Sequence, residues 1–357
     1  GEVYAIPGII DLHTDALEKE ITPRPSANFP VDVALQELEA KLLCCGVTTV
    51  FHSLYLGYKD AEKNAKKAID REALFKAVNT FAQERSMINT RLHLRYEITG
   101  LYALDILERM LESGYIDLLS FMDHTPGQGQ YSRENFLNDS IKRGMTPEAA
   151  EREFNEKLAR PKLSGEQIKK LASNAAKQGI PVASHDDDTP EKVRQMRDFG
   201  VSICEFPITL EAAQTAIELG MSTLGGASNA LRGGSLTGNL SMLKAIDHGV
   251  LDGFCSDYYP PSIIHSVFKL WLSAKKTLSE AVNMATLYPA QAAGIDHFTG
   301  SLEPGKDADI VLVRLIEGRP KVEQVISRGE LVHQSAWRHK GSQSNLANRN
   351  LEIAKSL

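Results

Sequence analysis

The chain is poor in cysteine, has no basic surplus and has no long apolar run, and each shortage closes off a class of function. Its four cysteines (Cys44, Cys45, Cys204, Cys255) include no Cys-x-x-Cys pair, which argues against a zinc ribbon or a disulfide framework. The adjacent Cys44 and Cys45 read as small buried side chains in a reducing cytoplasm. The formal net charge of −6 argues against a general nucleic-acid binder, while leaving room for a local basic pocket that takes an anionic small molecule. No stretch approaches the roughly 20 apolar residues of a membrane span. The start carries no charged-then-apolar leader, so a cytoplasmic protein without a membrane partner is expected. A Gly-x-Gly-x-x-Gly turn after the first strand is also missing, which weighs against an open dinucleotide-binding sheet.

What remains is ordinary globular composition, 42% hydrophobic and 24% charged, over 357 residues. That length suits two or three average domains, or one barrel with an appendage. Eight short apolar runs, bounded by Gly, Pro or Asp, read as buried strands at 8–13, 47–54, 92–99, 116–124, 180–186, 201–207, 221–227 and 253–259. Segments 60–90, 165–178 and 211–219 between them carry helical spacing. This alternation predicts an α/β fold, a (β/α)8 TIM-like barrel over residues 1–290. Residues 125–162 form a long charged insertion, either a cover for the active-site rim or a solvated helical excursion. Beyond the barrel, 291–335 read as a small β-sandwich appendage and 336–357 as a polar tail. So small a sheet needs further strands, and few residues precede the first barrel strand to supply them.

The run PGIIDLHTD (7–15) is too short for a helix and ends in two metal-type residues, His13 and Asp15. Two-residue periodicity puts both on one strand face. Four more strand ends carry such residues: Glu97, His124, His185 and Asp257. Singly, each reads equally well as a satisfied core or loop residue. Five strands of one barrel all converge on the same rim, and a dinuclear metal site accounts for that convergence where burial does not. Imidazole and carboxylate donors suit zinc, manganese or iron. Asp186, Asp187 and Asp188 either orient His185 or form the first turn of a helix before Pro190.

The opening PGIIDLHTD, the strand-end histidines, Asp257 and the segment GSLEPGKDADIVLV (300–313) together resemble the amidohydrolase superfamily over nearly the whole chain. The usual second histidine of the opening motif is Asp15 here, and Glu97 stands where a carboxylated lysine often bridges the metals. The strand count also puts the ligands on strands three, four and five, where the common pattern uses four, five and six. HTDALEKEITPRP, LHLRYEIT, MDHTPGQGQY, ASHDDDT, EFPIT, GASNALRGGSLTGN and SDYYP resemble one branch more closely, the α-D-ribose 1-methylphosphonate 5-triphosphate diphosphatase family of the carbon–phosphorus lyase route.

That resemblance implies hydrolysis of a ribose 5-triphosphate to the 5-monophosphate with release of pyrophosphate. It implies two divalent ions, zinc in the first place. His13, Asp15 and Asp257 would hold one ion, His124 and His185 the other, and Glu97 would bridge them. Asp257 would also accept the proton of the attacking water. A weak indication of a homodimer comes with the family.

A triphosphate needs cations and backbone amides nearby. Candidates are Arg232, Gly233, Gly234 and Ser235 after the seventh strand, Arg24 between two prolines in the first loop, and Gln128 in a Gly-Gln-Gly-Gln loop. Each also reads as a turn with a solvent-facing side chain. Two other functions stay open: hydrolysis of a C–N bond, which shares the metal set but has no need of the arginines, and a catalytically silent binding relative, which would have lost ligands.

Overall fold

A computed structural model of the protein describes residues 2–24, 27–57, 70–127, 133–235 and 238–336. All eight apolar runs are strands of one parallel sheet. After a first strand that belongs elsewhere, β1 (Val3–Pro7), they are β2 (Ile9–Thr14), β3 (Val47–Leu56), β4 (Asn89–Glu97), β5 (Leu118–Met122), β6 (Val182–His185), β7 (Ile203–Glu205), β8 (Ser222–Gly226) and β9 (Gly253–Cys255). They neighbour one another in chain order, as a (β/α)8 barrel requires. The ring closes at its rim: the Asp257 amide donates to His13 O at 2.9 Å, and the Asp15 amide to Asp257 O at 2.7 Å.

Two apolar layers hold the barrel. Inward-facing Ile10, Leu12, Phe51, Leu118, Ile203 and Leu224 fill its lower interior, where Ala290, Ala293 and Ile295 plug the end away from the rim. Fully burying such a Leu, Ile or Phe contributes about 1.5–3 kcal/mol. Outward-facing residues such as Val50, Leu54 and Phe254 pack under the helices. Helix boundaries follow local chemistry: Thr189 caps Pro190–Asp198, Thr209 caps Leu210–Glu218, and Ser164 with Gln167 forms a capping box at Gly165–Lys177. The helix expected over 60–90 is Arg71–Glu84 within the described residues, because Asn89 already enters β4. Cys44 is exposed rather than buried, since the last turn of Val31–Cys44 carries it off the face that buries Leu42 and Leu43.

Strand β1 pairs antiparallel with β10 (Ile310–Ile316), which pairs with β11 (Arg319–Ser327), and that with β12 (Glu330–Gln334). Residues 3–7, expected within the barrel, therefore supply the extra strand that the C-terminal sheet needed. A Cβ at Gly8 would lie 1.9 Å from Thr48 Oγ1, so the step from β1 to β2 requires glycine. Buried Val311, Val313, Val322 and Val325 of the four-stranded sheet join the barrel's outer core. The insertion contains two packed helices, Arg133–Lys142 and Pro147–Leu158, with Phe136 against Phe154. No helix among the described residues is long and apolar enough to cross a membrane.

One buried base gives the barrel a pH dependence. His52 on β3 is 2% exposed, and burial pushes its pKa down to about 4. Between about pH 6.5 and 4 the unfolded chain binds more protons at this position than the folded one, so stability falls as pH falls through that window. From pH 7 to 5 the loss is about 2 kcal/mol. Urea titrations at both pH values are expected to show it as a difference between wild type and His52→Gln. Equal pH slopes would exclude it.

Candidate metal centre and active site

The residues at the rim come from six strand ends, and backbone irregularities aim them. Between Asp11 and Thr14 the register of β2 on β3 slips by one residue, which lets both Leu12 and His13 turn inward. Asp186, Phe206 and Asp257, each just past a strand end, have positive φ values of 55°, 53° and 60°. Left-handed backbone costs a non-glycine residue about 1–2 kcal/mol, and such outliers gather at functional sites. The Phe206 ring consequently sits 4.9 Å from the His13 ring and 5.2 Å from that of His185.

Three clusters of donor atoms result, each with its ligand atoms within 4.8 Å of one another: His13, Asp15 and Asp257; His13, His185 and Glu205; and His124, His185 and Asp186. His13 and His185 are shared, so the clusters form one continuous patch. Its electrostatics favour cations. Burial opposes charge on His13, but Glu205 at 3.0 Å and Asp15 at 3.6 Å hold its pKa up at about 9. Burial likewise opposes charge on Glu205, yet His13 and His93 bring it down to about 2. Asp15, buried too, is held well below the usual carboxylate range by Arg95 and then by His13. Buried Glu205 Oε2 has no hydrogen-bond partner among the described residues. A cluster of carboxylates and imidazoles with such an oxygen facing it fits a divalent ion.

Of the residues expected at this site, His13, Asp15, His124, His185 and Asp257 enter these clusters. Glu97 does not. Its Oε2 lies 2.8 Å from His124 Nδ1, and Oε1 accepts from the Thr99 hydroxyl and the His124 amide, both at 3.3 Å. Glu205 and Asp186 take places in the clusters instead. Glu205, the first residue of EFPIT, carries the same sequence signal as the others, an acid ending an apolar strand. Asp186 faces the site, while Asp187 is buried behind it and Thr189 does the capping. His93 is a satisfied core histidine. Burial lowers its pKa to about 3, and its ring atoms meet Ser53 Oγ, Leu12 O and Ser120 Oγ at 2.9–3.0 Å.

A cavity of about 520 Å³ opens over the clusters. Arg71, Arg95 and Arg232 line it, together with Ser235, Asn229, Tyr55 and Tyr258. Arg95 pairs with Asp15 and Arg71 with Glu18. Arg232 ends helix Ala227–Arg232, its Nε donating to Ser228 O at 3.2 Å. Neither Gly233, which terminates that helix with φ 94°, nor Gly234 lines the cavity. Arg24 is not brought there either: it is exposed, and its backbone bridges Ala27. Gln128 lies outside the described residues, and no described residue of the insertion lines the cavity.

The amidohydrolase family model matches residues 4–332, nearly the whole chain. The chain belongs to the amidohydrolase family. Members of this family typically bind metal ions, in agreement with the donor clusters. Among characterised amidohydrolases, the chain is 32% identical to α-D-ribose 1-methylphosphonate 5-triphosphate diphosphatase of Escherichia coli (strain K12), over 336 residues that cover 92% of this chain and 88% of that one. Solved amidohydrolase structures share the fold at lower identity. N-acetylglucosamine-6-phosphate deacetylase from Pasteurella multocida matches with a TM-score of 0.58 at 13% identity, covering 93% of this chain and 87% of that one. Ochratoxinase from A. niger matches with a TM-score of 0.58 at 14% identity, covering 94% and 84%.

Proposed function

We propose that this amidohydrolase hydrolyses the triphosphate of an α-D-ribose 1-alkylphosphonate 5-triphosphate, leaving the 5-monophosphate and pyrophosphate. The observation that carries the reading is the makeup of the cavity: three arginines face one space with the His/carboxylate clusters. The identity with the E. coli diphosphatase along most of both chains supports the same substrate class. An amide substrate has no use for three guanidinium groups, whereas a triphosphate needs them for bidentate hydrogen bonds and charge.

Two divalent ions complete the proposal, zinc first and manganese or iron as alternatives the donor types also accept. His13, Asp15 and Asp257 would hold one, His124, His185 and Asp186 the other, with Glu205 between them. Bound there, the ions would acidify a water molecule and polarise a phosphoryl oxygen. Asp257 takes the proton of the water as its oxygen bonds to the α-phosphorus and the bond from that phosphorus to the bridging oxygen breaks. Arg232 would hold the departing pyrophosphate, with Arg71 and Arg95 adding positive charge beside it from their pairs with Glu18 and Asp15, where negative charge builds up.

Hydrolysis in oxygen-18 water tests this reading. Label is expected in the sugar monophosphate, with pyrophosphate as the other product. Label in pyrophosphate would mean attack at the β-phosphorus and would sink the geometry, and turnover of an N-acyl sugar but no triphosphate would return the enzyme to C–N hydrolysis. In the same assay Arg232→Ala should raise KM for the triphosphate at least about tenfold and spare the metal content, the expected loss of one charge-assisted contact. An unchanged KM would remove Arg232 from the phosphate site.

A further inference from the structure

The turn that presents His185 and Asp186 is held from behind by a lysine that points away from the substrate. Lys192 lies in the first turn of Pro190–Asp198 and reaches back to the strand end. Its Nζ donates to His185 O at 3.2 Å and to Asp186 O at 3.3 Å, and lies 3.3 Å from Asp187 Oδ1. An ammonium has three donors, and here three acceptors surround it. Lys192 does not line the substrate cavity.

Asp187 is itself fully buried, with Oδ2 accepting from Ser184 Oγ at 2.5 Å and from Cys204 Sγ at 3.3 Å. The Asp187 carbonyl accepts from the Ile208 amide at 3.0 Å, and the Asp186 amide donates to Glu205 O at 3.0 Å. Asp186 is thus fixed in its left-handed conformation from both sides. Strained backbone of this kind persists only where the surroundings over-determine it.

We infer that Lys192, backed by Asp187, is a positioning residue that sets His185 and Asp186 in register for the ion they share with His124. This rests on the two-ion reading of the site. The mechanism is geometric. A cation bound to two successive carbonyls fixes the two peptide planes that flank Asp186, and their orientation decides whether the His185 ring and the Asp186 carboxylate face one point. Partners that orient metal ligands in this way are worth roughly 10- to 100-fold in metal affinity. The His13–Asp15–Asp257 cluster contains none of the residues that Lys192 touches, so the ion there should keep its affinity while the other weakens.

Zinc competition titrations with a chromogenic chelator, run on wild type, Lys192→Met and Lys192→Gln, test this directly. Wild type is expected to bind two zinc ions. Both variants should keep one at wild-type affinity and bind the other roughly 10- to 100-fold more weakly, with the circular dichroism of the metal-free forms unchanged. Two ions bound at wild-type affinity in the variants would overturn the role of Lys192 and leave the metal centre standing. A wild type that binds no zinc would bring down the metal centre itself, and the inference with it. Failure of both variants to fold would make Lys192 a structural residue and equally overturn the inference.

Discussion

Replacing Asp257 by asparagine is expected to lower kcat by about 10²- to 10⁴-fold, the range that a positioned proton acceptor supplies, with little change in KM for the triphosphate. Asparagine is the informative replacement. Asp257 has φ 60°, a conformation asparagine adopts readily, and its backbone closes the barrel through His13 O and the Asp15 amide. Alanine would strain that junction and confuse folding with chemistry. The carboxyl is suited to taking a proton: burial raises its pKa first of all and neighbouring Asp15 adds to this, against a downward pull from His13. An amide keeps the shape and one oxygen donor but cannot accept the proton of water. A kcat within tenfold of wild type would mean that another group takes it.

The eight barrel strands were legible because strands buried on both faces read as continuous apolar runs, and a parallel barrel buries all of them. Strand β1 was not, because its partner is β10, some 300 residues away, and five residues ahead of a glycine carry no local sign of that pairing. At the rim, strand-end acids and histidines could be read one strand at a time, and five of the six expected residues meet in the donor clusters. Arg95 and His93 were within reach. Counting back by twos from Glu97 places both on the inward face of β4, the same two-residue period that puts His13 and Asp15 on one face of β2. Arg71 had no such signal, since it begins a helix and reaches the cavity only through the packing of that helix. Arg24 illustrates the converse. Flanking prolines restrict the backbone of a loop residue, but they do not decide which way its side chain points.

Two glutamine variants decide whether Glu205 or Glu97 would hold both of the proposed ions. Glu97 stands outside the three donor clusters, engaged with His124 and Thr99. Glu205 shares a cluster with His13 and His185, and each of these also belongs to one of the other two. Glu205→Gln is therefore expected to lose metal and to lower kcat at least about a thousandfold, the several kcal/mol that metal activation supplies. Glu97→Gln should keep both ions and lose about tenfold through a less well held His124.

A readout independent of activity accompanies them. In the metal-free protein Glu205 is the main charge that holds the His13 ring protonated against burial, so removing it should move the His13 titration to lower pH. The ring would then lose its proton well below the wild-type value of about 9, which NMR of ring nitrogens follows directly. Loss of metal in Glu97→Gln with retention in Glu205→Gln would restore Glu97 as the bridge. The His13 titration would still tell whether Glu205 or another group holds that ring.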